Sequence, residues 1–274
     1  MTARIDAALD AAAALLRSAD GLLLGAGAGM GVDSGLPDFR GGDGFWRAYP
    51  PLAAAGIRFV EIANPQAFDT DPALAWGFYG HRLALYRATA PHAGFAILRA
   101  LGDRLAHGTF IFTSNVDGQF GRAGFAGDRI VECHGSIHHL QCTRPCTAAI
   151  WSADAVVPVV DTASCRMDPP LPRCPHCGAL ARPNILMFGD DRWLEERTAA
   201  QFTRLDAWRR QVGRLVVVEL GAGTDVPSVR RMGEAQRAPL LRINPREPDV
   251  APGRGIGIPL GALDALLALR ARLA

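Results

Sequence analysis

Residues 22–46, LLLGAGAGMGVDSGLPDFRGGDGFW, decide how this chain is read. The apolar run 22–24 passes into small residues at Gly25, Gly27, Gly29 and Gly31, the pattern of a buried parallel strand entering a nucleotide-binding turn. Glycines there let backbone N–H groups approach a pyrophosphate closely. The dinucleotide fingerprint G-x-G-x-x-G is nevertheless broken. Counted from Gly25, Gly27 or Gly29, its third glycine falls on Met30, Val32 or Ser34, and no second short strand ending in an acidic residue follows. The turn runs instead into Ser34-Gly35-Leu36-Pro37-Asp38-Phe39-Arg40-Gly41, a loop dense in polar and aromatic groups.

Outward from this stretch, 274 residues with a 49% hydrophobic share hold one large globular domain, or one domain with a smaller insertion. The formal charge is +2, and all 29 basic residues are arginine. Without a basic block or basic helix face, no nucleic-acid partner is expected. Residues 7–16 form an apolar run interrupted by Asp10 and preceded by Asp6, which reads as an amphipathic first helix and not a signal peptide. No stretch reaches the ~20 uninterrupted apolar residues of a membrane span. Six cysteines, four of them in two close pairs, suit a metal site in a reducing cytoplasm better than a disulfide framework.

The elements expected in order are a helix over 3–19, a strand over 21–26 and a helical stretch over 43–92. Pro72 is placed to start a helix running to about residue 88. A helix over 92–105, strands over 109–113 and 130–133, and a cysteine- and proline-rich segment over 142–177 follow. Residues 182–188 are expected to return to the main sheet, which gains further strands over 215–220 and 240–243 before an apolar helix from Leu260. The fold class is therefore α/β, a large Rossmann-like parallel sheet with a small zinc-binding and helical module. The expected division gives 1–42, 93–138 and 183–274 to the large domain, with 43–92 and 139–182 forming the small one.

Strand ends in open α/β sheets carry ligand sites. Ser114, Asn115 and Asp117 follow one such end, where an Asx-rich turn is the alternative reading, and His134 follows another. A histidine with a near-neutral pKa can take a proton from a hydroxyl, although a lone histidine is more often structural. Cys142-x3-Cys146 and Cys174-x2-Cys177 are spaced as tetrahedral Zn²⁺ ligands are. The 27 residues between the pairs exceed the common ribbon spacing and imply an insertion loop. Four thiolates leave no open coordination position, so such a metal is structural.

Gly27-Ala28-Gly29 together with residues 34–41 resembles the G-A-G-I-S-x-x-S-G-I-P-D-F-R-G signature of the sirtuins, NAD-dependent protein lysine deacylases. Residues 113–117, His134-Gly135, the four cysteines and residues 182–189 extend the resemblance through most of the chain. It implies NAD as cofactor, held by Gly27, Ala28, Gly29, Asp38, Phe39, Arg40, Ser114, Asn115, Asp117, Gly221 and Asn244. It further implies an acylated-lysine protein or peptide as partner, with His134 as the base that lets the acyl group pass to ADP-ribose while nicotinamide leaves. Tyr79 and Arg82 resemble the pair by which some sirtuins bind succinyl- or malonyl-lysine, the alternative being that Tyr79 packs in the core with Phe78 while Arg82 snorkels to solvent. The chain departs from the family at Ser114, where a glutamine is usual, at Gly31, and at Gly221-Ala222-Gly223, where G-T-S loses both hydroxyls. Those departures keep open an NAD glycohydrolase or mono-ADP-ribosyltransferase, with a non-catalytic NAD-sensing module behind them.

Overall fold

The structure, a computed structural model, describes residues 2–37 and 41–274. Asp38, Phe39 and Arg40 lie outside the described residues. The strands are β1 (Gly21–Ala26), β2 (Thr109–Thr113), β3 (Ile130–Glu132), β4 (Gly135–Cys142), β5 (Trp151–Ser152), β6 (Val160–Asp161), β7 (Arg166–Met167), β8 (Ala181–Ile185), β9 (Leu215–Leu220), β10 (Leu240–Ile243) and β11 (Gly255–Ile258). The helices are α1 (Thr2–Ser18), α2 (Gly29–Val32), α3 (Gly41–Ala48), α4 (Pro50–Ala54), α5 (Phe59–Ile62), α6 (Gln66–Thr70), α7 (Pro72–Ala88), α8 (Ala93–Gly102), α9 (Gln119–Arg122), α10 (Glu196–Arg209), α11 (Ser228–Ala235) and α12 (Ala262–Leu273).

Six strands form a parallel sheet in the order β11-β10-β9-β1-β2-β3. Parallel sheets are covered on both faces, so their strands read as continuous apolar runs and not as alternating ones. Leu22, Leu24 and Ala26 of β1 join a core with Leu9, Leu98 and Leu266 from α1, α8 and α12. Leu23 points the other way, into a core with Trp208 of α10 and Val229 of α11. β1 is also where the strand order reverses, with β2 on one side and β9 on the other. The crevice at the carboxyl ends of these strands is the ligand position of doubly wound sheets.

A second body is built on the antiparallel sheet β5-β4-β8. Its core packs Trp76, Phe78 and Tyr79 of α7 with Ile137, Leu140 and Met167. Asp71 caps α7 by accepting from the Leu74 N–H at 3.2 Å, and Pro72 takes the first turn, as the sequence suggests. Trp76 Nε1 donates to the Ala181 carbonyl at 2.9 Å, and Arg87 donates to the carbonyls of Val156 and Ala153 at 2.6 and 2.8 Å. The helical and cysteine-rich segments are thereby one packed unit.

One expectation is corrected. Residues 182–188 do not return to the main sheet, because β8 pairs with β4 in the antiparallel sheet. The physical reason is polar and buried. Arg182 forms a two-pronged ion pair with Asp190, at 2.8 and 2.9 Å, with both side chains almost wholly out of water. β4 itself, β11, α10 and α11 are additions to the elements expected from sequence, and α8 ends at Gly102, short of residue 105.

Candidate active site

Loops at the carboxyl ends of four neighbouring strands meet at one cavity of about 430 Å³. Gly27 and Ala28 enter from β1, residues 114–117 from β2, His134 from β3, and Ala222 and Gly223 from β9. The facing wall comes from the second body, through Tyr79, Arg82 and Tyr86 of α7 and residues 185–188 at the end of β8. The structure thus brings Gly27, Ala28, Ser114, Asn115, Asp117, His134, Tyr79 and Arg82 to one space. Gly29, Gly221 and Asn244 do not line it.

Those three residues hold the loops from behind. A Cβ on Gly29 would lie 2.7 Å from the Gly221 Cα, and one on Gly27 would lie 2.8 Å from the Ala222 Cα. Gly29 N–H donates to the Gly221 carbonyl at 3.0 Å, and Gly221 has φ +59°, a conformation that favours glycine. The close approach of these two backbones is one physical reason for glycine at positions 27, 29 and 221. Asn244 is fully buried. Its Nδ2 donates to the Ala222 carbonyl at 2.8 Å, and its Oδ1 accepts from the N–H groups of Arg246 and Glu247 at 2.9 and 3.0 Å.

After β2 the chain is fixed by short polar links. Thr113 Oγ1 donates to the Ala26 carbonyl at 2.9 Å, and Asn115 Nδ2 donates to the Gly27 carbonyl at 3.0 Å. Asp117 is buried, and its Oδ1 accepts the Gln119 N–H at 2.9 Å. That is the Asx turn anticipated as the alternative reading, and it coexists with a place in the cavity wall. Burial pushes the Asp117 carboxyl up to about 6. His138 Nε2 donates to the Asp117 carbonyl oxygen at 2.9 Å, which gives this histidine a packing role beneath the site.

His134 Nε2 lies 3.1 Å from Ser228 Oγ. Its backbone carbonyl accepts from Leu186 N–H at 3.0 Å, tying the histidine to the facing wall. Burial lowers the imidazole pKa, partly opposed by a hydrogen bond to the Ser114 backbone, so the ring is neutral near pH 7 and able to accept a proton. Ser228, 94 residues away in sequence, is missed by sequence reasoning because Val226-Pro227-Ser228 carries no recognisable pattern. Tyr86 is missed too. Arg82 is buried and donates through Nε and Nη2 to Tyr86 Oη at 2.9 and 2.8 Å. These hydrogen bonds go to the tyrosine one turn onward, at the i to i+4 spacing of α7, while the guanidinium also lies 5.8 Å from the centroid of the Tyr79 ring.

Away from the cavity, the sulfurs of Cys142, Cys146, Cys174 and Cys177 all lie within 4.8 Å of one another. The Cys142–Cys177 and Cys146–Cys174 Sγ separations are both 3.6 Å. Zn–S bonds of ~2.3 Å in a tetrahedron put sulfurs roughly 3.8 Å apart. The donor set fits a structural Zn²⁺ held by these four residues.

The family model described as "Sir2 family" matches residues 27–217. An NAD-dependent protein deacylase 1 from Archaeoglobus fulgidus is 32% identical over 236 residues, 82% of each chain. An NAD-dependent protein deacylase from Pyrococcus furiosus is 35% identical over 177 residues, and that match spans 64% of this chain and 63% of the relative's length. A crystal structure of a Sir2 homologue in complex with NAD gives a TM-score of 0.70 at 26% identity, covering 96% of this chain and 93% of that one.

Proposed function

Because the chain belongs to the Sir2 family, we propose that it is an NAD-dependent protein lysine deacylase, which passes an acyl group from lysine to ADP-ribose and releases nicotinamide. The convergence of His134, Ser114, Asn115 and Asp117 with Gly27 and Ala28 on one cavity carries this reading. The two glycine-rich loops at the strand switch point and a neutral histidine among polar groups fit NAD. Bound NAD supplies a ribose C1′ joined to a cationic leaving group.

Gly27, Ala28 and Gly223 would lie along the cofactor, where they present backbone and little bulk. Asn115 and Asp117 would hold the carboxamide and the ribose hydroxyls, their side chains already oriented by Gly27 and Gln119. His134 would take the proton of a ribose hydroxyl. Val116, Ile185 and Val229 line the same cavity and keep water from the reacting centre. An acylated lysine of a protein or peptide would enter from the wall made by residues 185–188.

The acyl group we assign is one ending in carboxylate. Arg82 reaches the cavity with a buried guanidinium stacked over Phe78 at 5.1 Å, and Tyr79 lines the same wall. A planar guanidinium offers a carboxylate paired, charge-assisted donors. Mass spectrometry of NAD products with and without acetyl- and succinyl-lysine peptides tests both levels. O-acyl-ADP-ribose appearing with peptide supports deacylation, whereas peptide-independent ADP-ribose replaces it with NAD hydrolysis. Arg82→Met should lower succinyl turnover selectively, and an equal loss on both peptides would return Arg82 to the scaffold.

A further inference from the structure

The contact between His134 and Ser228 has no part in the NAD chemistry above, yet it has the parts of a nucleophilic centre. An alcohol becomes a nucleophile when a base lies within hydrogen-bond reach and a third group orients that base. Ser228 Oγ is 3.1 Å from His134 Nε2. In the neutral tautomer that carries its proton on Nδ1, the Nε2 lone pair faces the serine. Ser228 is the first residue of α11, which spans eight residues. The first intrahelical bond of that helix runs from Arg231 N–H to the Pro227 carbonyl. The N–H groups of Val229 and Arg230 are therefore first-turn donors without helical partners. Donors from the residue after the nucleophile, at a helix N-terminus, are where acyl-transfer enzymes hold a developing oxyanion. His134 and Val229, the base and the residue after the serine, both line the cavity, and Ser228 is partly exposed.

We propose that Ser228 and His134 form a second catalytic pair that hydrolyses small carboxylic esters without NAD. Ser228 Oγ adds to the ester carbonyl carbon as His134 Nε2 takes the hydroxyl proton. The tetrahedral oxyanion faces the amides of Val229 and Arg230. It collapses with cleavage of the ester C–O bond, and the leaving alcohol takes the proton from His134. Water, deprotonated by His134, then attacks the acyl-serine, and the carboxylic acid departs as Ser228 regains its proton. The net reaction consumes one ester and one water.

The test uses the full chain with p-nitrophenyl acetate and no NAD. Pre-steady-state release of p-nitrophenol should show a burst approaching one equivalent. Acid quenching and peptide mapping should then place an acetyl group on Ser228. Ser228→Ala should abolish adduct and burst, His134→Ala should slow the burst by about 10²–10⁴-fold, and Ser228→Cys should restore an acyl-enzyme as a thioester. Acetylation of wild type elsewhere with Ser228 unmodified, or a Ser228→Ala rate equal to that of wild type, overturns the proposal. Because the assay contains neither NAD nor lysine, its outcome is independent of the deacylase reading.

Discussion

His134 Nε2 is engaged by Ser228, and burial favours the neutral form of the ring. His134→Ala should therefore lower acyl removal by about 10²–10⁴-fold with little change in NAD affinity by calorimetry. Unchanged turnover would take His134 out of the reaction. Asp117 behaves oppositely to a paired carboxylate. Its folded pKa is raised to about 6 from the 3.8 of the free group, so it contributes stability below pH 3.8 that is lost as pH rises towards 6. Asp117→Asn should consequently raise Tm relative to wild type at pH 7.5, with the gain vanishing near pH 4. An equal gain at both pH values would show that its charge is irrelevant to stability. At this scale the sequence placed His134, Asn115 and Asp117 after strand ends, and the structure brings all three to the cavity. It could not carry Ser228, whose partner is set by the folding of a distant loop, nor the inward turn of Asn244.

Among the elements, strands with both faces covered were legible because burial on two sides demands an unbroken apolar run. The six residues of β1 and of β9 are buried throughout. β4 hid, and β8 was expected in the wrong sheet, for the converse reasons. The register of their pairing shifts between Ser136 and Leu140, which breaks the alternation a half-buried strand would show. Their buried interior is also partly polar. Asn184 Nδ2 donates to Gln141 Oε1 and to the Leu194 carbonyl, each at 2.9 Å, so composition alone does not mark this as core. The ion pair beside that network should be costly to break. Asp190→Ala leaves the buried Arg182 guanidinium without its carboxylate and should lower unfolding free energy by about 3–5 kcal/mol in urea titrations. A loss below about 1 kcal/mol would show that the pair behaves as a solvent-screened one. Gly221→Ala belongs to the same scale. Its Cβ would meet the Gly29 Cα at 2.5 Å at a positive φ, and weaker NAD binding with lowered Tm is expected.

For the molecule as a whole, the four-cysteine cluster ties the end of β4 to the segment that leads into β8, with Cys142 closing β4 and Cys174 and Cys177 preceding β8. Cys174→Ser should reduce bound zinc from about one per chain towards zero and melt the second body first, read by hydrogen exchange at β4 and β8. Wild-type protein without zinc would dismiss the site. Spacing announced this cluster, whereas strand order was beyond the sequence, since no local pattern says which strands neighbour β1. That order bears on how the protein is made. Leu22 pairs with Thr109 on one side and with Val216 on the other. A ribosome that has passed residue 113 has released only one of the two strands that flank β1. Until residues 215–220 emerge, the apolar edge of residues 22–24 stays open to any passing strand or chaperone. Nascent chains stalled short of residue 215 should remain protease-sensitive across β1, and protection should arrive abruptly once β9 is free.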